Sequence, residues 1–274
     1  MNKSDLNSLF SIASFVVFLL LAGCQNLSTE TKEMVNSAAK KPDFTGVWTM
    51  YIEPGQSPFG NFGAPPPVLP FTEKGKKLRD EYNVLVGAKK DNPGAFCASL
   101  GMPGMMESAG GYPIEFIQKP DQFTIIYEVE GETRRVLFGD RIIPKEQRYP
   151  NRQGYSTGHW EGDTLVVETD SLTDGQDQLT HPHSEEATIV EKFKIISGAN
   201  NERLISYEMT MTDPVYYTQP IVVTKKFKPL ENGTIMAYNC PGDLWEQLLQ
   251  LRRDQLHAGK PVTATMADVY DMQE

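Results

Sequence analysis

From Gly154 to Ile195 the side chains change character at every second position, which is the period a β-strand presents to its two faces. Tyr155, Thr157 and His159 share one side, with Ser156, Gly158 and Trp160 on the other. Glu161-Gly162-Asp163 makes a tight turn, and Thr164 to Thr169 resumes as a β-branched strand. After a polar loop, Ala187, Ile189, Phe193 and Ile195 alternate with Glu186, Thr188, Lys192 and Lys194. Carried back along the chain, the same parity puts His181, His183 and Glu185 on the apolar side. Three of the four histidines fall in this stretch.

The two-residue period recurs along most of the chain. Phe123, Ile125, Tyr127 and Val129 form one face; Arg134, Val136 and Phe138 form the next. Ile205, Tyr207, Met209 and Met211 follow, and then Ile221, Val223 and Phe227. With strands at 43–51, 113–118 and 234–240, about nine or ten strands follow one another through short turns, without βαβ alternation. The fold class is mostly β, an antiparallel meander closed into a barrel or strongly curved sheet. Gly46-Val47-Trp48 in the first strand resembles the opening signature of lipocalins, in which the tryptophan plugs one barrel end. Two helices are expected outside the sheet. Thr72 caps 73–82, and Asp243 caps 244–256, which carries Trp245, Leu248, Leu249 and Arg252 toward the sheet. Proline- and glycine-rich loops occupy 53–70 and 87–113, and Met102, Met105 and Met106 in the second are suited to core filling or to an apolar pocket. One domain spans 43–258, and 259–274 is expected to be a tail.

The N-terminus reads as a targeting segment, with Lys3 ahead of a short apolar run that ends in Leu21-Ala22-Gly23-Cys24. This resembles the lipobox of bacterial lipoproteins. It implies a signal peptide over 1–23, lipidation of Cys24, a polar tether over 24–42 and, with Gln25 next, an outer-membrane address facing the periplasm. Cys97 and Cys240 then remain as an even pair in an oxidising compartment. A disulfide between them would close roughly 140 residues and add several kcal/mol; two separate buried thiols are the alternative. With 26 basic and 36 acidic residues the chain carries a net charge of −10 and lacks a basic stripe, so nucleic acid is not an expected partner. The membrane is met through the lipid anchor only.

The candidate chemistry centres on His183, with Glu185 or Glu191 as its carboxylate. Glu191 has inward parity, where an unpaired charge is costly, so pairing with Arg134 or Arg203 is the plainer reading. Arg134 and Arg203 could equally hold a ligand anion, with Tyr155, His159, Tyr207 and Tyr216 as further binding candidates. His181 and His183 have a His-x-His spacing that resembles a cupin's, yet Thr188 stands where that pattern has glutamate; no metal and no cofactor are expected. Phosphate loops, serine elbows and Cys-x-x-Cys motifs do not occur in the sequence.

Gly158-His159-Trp160-Glu161-Gly162-Asp163-Thr164-Leu165-Val166-Val167, Pro182-His183-Ser184-Glu185 and Asp213-Pro214 together resemble an uncharacterised family of secreted bacterial β-rich proteins. The resemblance covers most of 43–240. It implies a shared site at the His183 motif without naming a reaction. In that family a histidine often precedes the residue matching Ser156, where this chain has Tyr155. The expected function is binding of a small apolar or aromatic molecule in the barrel. The alternatives are a hydrolase or lyase/isomerase using His183, and a structural envelope lipoprotein.

Overall fold

The computed structural model describes residues 41–55, 69–86, 98–108, 112–176, 181–238 and 243–271. The leader, Cys24, Cys97 and Cys240 lie outside the described residues, and the expected lipidation and disulfide with them.

The alternating segments form β1 (Gly46–Met50), β2 (Ile114–Gln118), β3 (Gln122–Tyr127), β4 (Thr133–Leu137), β5 (Tyr155–Glu161) and β6 (Thr164–Asp170). They continue with β9 (Thr188–Ser197), β10 (Arg203–Thr212) and β11 (Ile221–Pro229); between them β7 (Gly175–Gln176) and β8 (Pro182–His183) form a separate small ladder. Among the described residues nine strands close into a barrel, in which β6 passes to β9 and β11 returns to β1 through pairs such as Trp48 with Pro229. Neighbours in a closed ring can all run antiparallel only if the strand number is even. With nine, one pair must be parallel, and it is β4 with β5. The long connection over 138–154 allows this, because parallel neighbours need a crossover and not a tight turn.

Inward positions fill the barrel. Phe116, Phe123, Phe193 and Tyr207 form a chain of ring contacts, with centroids 5.2 Å apart for Phe116–Phe123 and 5.0 Å for Phe193–Tyr207. Trp48 closes one end: its indole Nε1 donates to the Phe44 carbonyl at 2.8 Å, and the Arg203 guanidinium lies 5.0 Å over its ring. The opposite end is stoppered by α2 (Gly101–Ser108), whose Met102, Met105 and Met106 are buried. Sequence parity also puts Lys225 inside, where its Nζ donates to the Met106 carbonyl at 2.7 Å.

Helices α1 (Glu73–Val86), α3 (Asp243–His257) and α4 (Met266–Asp271) enclose a second apolar cluster that includes Tyr82, Leu85, Trp245, Leu248 and Leu249. Thr72 caps α1 as expected, its Oγ1 accepting the Gly75 N–H at 3.1 Å. Two expectations change. Residues 234–238 form no strand, because β1 already takes the free edge of β11. The expected tail contributes α4, with Ala264 and Val269 buried and Arg252 Nε donating to the Ala264 carbonyl at 2.9 Å. Among the described residues no helix is long and apolar enough to cross a membrane.

Candidate functional site

Two polar centres are buried in this fold, and they differ in kind. The first lies inside the barrel, beneath the methionine stopper. Arg134 faces Glu191 across the interior, donating to Oε1 at 3.0 Å and more closely to Oε2. Its remaining N–H groups reach Ser156 Oγ at 2.9 Å, Thr169 Oγ1 at 2.6 Å and Met102 Sδ at 3.5 Å. Tyr207 donates its phenol to Glu191 at 3.0 Å. Burial alone would lower the Arg134 guanidinium, but the Glu191 charge outweighs it and raises it further. Burial first, then the Glu191 charge, lifts Tyr207 well above its ordinary value. Tyr127 is pushed up to about 12 by burial, against the pull of Arg134. Each Glu191 oxygen and most of the Arg134 fork are therefore already committed. A ligand anion would have to displace Glu191. The network is a structural tie across the barrel.

The second centre lies beside the barrel and opens to solvent as a pocket of about 230 Å³. Two helices build its apolar wall. Leu78 and Tyr82 are one turn apart on α1; Trp245, Leu249 and Arg253 are successive turns of one face of α3. Ser99 and Leu100 also line it, and so does His183 with Asp174 and Gly175, the last paired with His183. Arg152 straps the rim. Its guanidinium donates to the Ser99 carbonyl at 2.9 Å and to Glu246 at 3.1 Å, while its own carbonyl accepts the Met102 N–H at 2.8 Å.

His183 is held from both sides by one turn that follows β10. Asp213, buried, accepts the Ser184 N–H at 2.7 Å and the Ser184 hydroxyl at 2.8 Å, as well as the Val215 N–H at 2.9 Å. Two residues past the aspartate's proline-led turn, the Tyr216 phenol faces Asp174; burial first, then the Asp174 and Asp213 charges, raises it. The Tyr217 hydroxyl donates to the Pro182 carbonyl at 2.8 Å. Opposite, Gly175 pairs with His183, and a Cβ there would come within 2.6 Å of the imidazole Nε2. Only glycine leaves the ring its place. The Pro182-His183-Ser184 and Asp213-Pro214 motifs, far apart in sequence, thus meet as one clamp.

The structure sorts the sequence candidates. His183 is buried and lines the pocket; His181 is half-buried on the preceding loop. Strand parity did not carry back as expected, because β9 begins only at Thr188, and Glu185 is exposed. Glu191 is inside the barrel on Arg134, so neither carboxylate lies in the pocket lined by His183; Asp174 and Glu246 do. Arg203 sits at the barrel mouth over Trp48, a correction to its inward placement. Tyr155 and His159 face outward: Tyr155 lies under Arg148 at 4.3 Å and accepts the Ile143 N–H, and His159 is exposed near Glu161. Tyr207 is in the barrel network, and Tyr216 is behind Asp174. Asp174, Arg152 and Arg253 escaped sequence reasoning, since they come from two loops and a helix that no local period connects. Arg253 at four-residue spacing from Leu249 and Trp245 was the one legible signal. Comparison with protein-family models finds none that matches this chain, and the curated proteins likewise give no match.

Proposed function

We propose that this chain is a periplasm-facing lipoprotein that binds a small molecule, and that the ligand sits in the pocket beside the barrel and not on the barrel axis. The observation that carries the reading is the contrast between the two polar centres. In the barrel the Arg134–Glu191 pair is held by Ser156, Thr169 and Tyr207, while the lateral pocket combines an open apolar wall with converging polar groups around a doubly clamped His183. Its volume, about 230 Å³, is below the roughly 300–1,000 Å³ typical of drug-sized ligands, so the occupant is monocyclic or short-chained.

A second reading, acid–base catalysis on the bound molecule, is favoured by the fixing of the residues on either side of His183 through the turn after β10, with Asp174 lining the same pocket. In it His183 moves a proton and Asp174 orients the substrate or the water. The test is a thermal-shift screen of the full-length protein in detergent against small aromatic and short-chain compounds. Leu78→Trp, which fills the pocket from a half-buried position, serves as the control. Compounds that raise the melting temperature of the wild type and not of L78W support the pocket. Equal shifts in both proteins would refute it, and chemical conversion of a bound compound would decide for the enzyme.

A further inference from the structure

The charges around the pocket differ in how far they are committed. Arg152 is engaged by the Ser99 carbonyl and by one oxygen of Glu246. Asp174 is faced by the Tyr216 phenol. Arg253, half-exposed and one helical turn beyond Leu249, makes no hydrogen bond or ion pair with a described residue, yet it lines the pocket. A guanidinium presents a planar fork of donors matched to carboxylate and phosphate oxygens, and here it stands at the edge of a wall made by Trp245, Leu249, Tyr82 and Leu100.

We infer that the ligand is an anion: a small molecule with one carboxylate or phosphate headgroup received by Arg253 and a flat apolar body laid between Trp245 and Leu100. This rests on the pocket reading above and adds the chemical class to it. The wall suits a single ring or a short chain, since the pocket is small and its faces come from side chains one helical turn apart. Asp174, on the side of the pocket beside His183, works against a second negative charge and so selects a monoanionic headgroup or one that points away from it. The acid that repels also orients: the charged end belongs at Arg253 and the ring beside His183.

The experiment titrates full-length protein with benzoate, phenyl phosphate and uncharged benzyl alcohol, followed by calorimetry and by the indole signals of the three tryptophans in NMR. Wild type is compared with Arg253→Gln, Asp174→Asn and Leu78→Trp, each first checked for an unchanged melting temperature. The expected result is saturable binding of one or both anions and at least tenfold weaker binding of benzyl alcohol. Loss of a charge-assisted hydrogen bond in R253Q should weaken anion binding by about tenfold to a hundredfold. D174N should tighten it, and L78W should abolish it. Benzoate above phenyl phosphate, or the reverse, distinguishes a carboxylate from a phosphate ligand. Equal binding of benzyl alcohol, insensitive to R253Q but lost in L78W, would overturn the anion assignment and leave the pocket standing. Anion binding that survives L78W, or no binding of any of the three, would overturn both.

Discussion

At the scale of single residues, one buried and one half-buried carboxyl decide where charge can stand in the barrel and beside it. Glu191 is the partner without which Arg134 would be a bare cation in the barrel core. Removing one member of a buried pair leaves an uncompensated charge, which costs about 3–5 kcal/mol. Glu191→Ala should therefore lower unfolding free energy by that amount in urea titration, whereas the paired change Arg134→Met with Glu191→Leu should cost distinctly less. A double variant as unstable as the single one would show that the pair does more than neutralise itself. Glu130 behaves differently. It sits in a left-handed turn, φ 62°, and accepts the Leu100 N–H at 3.0 Å beside the pocket wall. Burial first, opposed by that hydrogen bond and assisted by Glu132, pushes it up to about 7. The folded state then holds a proton that the unfolded chain has released, so this residue makes stability fall as pH rises from about 4.5 to 7. Glu130→Gln keeps an acceptor for Leu100. It should match the wild type near pH 4 and be the more stable protein at pH 8; equal melting temperatures at pH 8 would contradict the assignment.

At the scale of elements, the β7–β8 ladder and the turn after β10 form the device that sets His183. The imidazole fits only because Gly175 has no side chain, and its backbone is stationary because Asp213 and Tyr217 hold the residues on either side. Gly175→Ala adds one methyl group against the ring. It should cost on the order of 1–3 kcal/mol through overpacking and should shift the His183 imidazole resonances. Unchanged resonances would mean the ring is not set by this contact. Much of the barrel's element structure was legible from the sequence, since period-two alternation marked the inward faces of β3, β4, β9, β10 and β11, and through them a partner for Glu191 in Arg134 or Arg203, between which only the structure chooses. The clamp was not. A two-residue strand has no period to read, and Asp213 reaches Ser184 from another part of the chain, so the motifs were visible while their meeting was not.

At the scale of the whole molecule, closure of an odd-numbered barrel explains the division of labour. One parallel junction requires a long crossover, and that crossover carries Arg152 out to the rim, where it ties the methionine stopper to α3. The barrel interior among the described residues holds aromatic rings and a satisfied ion pair, and the proposed ligand site lies between the barrel and its helical layer. The sequence pointed to a cavity inside the barrel, because inward tyrosines, methionines and arginines read alike whether they line a void or fill it; the proposal moves the ligand to the lateral pocket on the contacts among them. The most direct test is a crystallographic fragment screen on the full-length protein. Fragments are expected to gather in the pocket lined by Trp245 and His183, with anionic groups at Arg253. Fragments bound along the barrel axis among Phe193, Tyr207 and Glu191, with the lateral pocket empty, would contradict it.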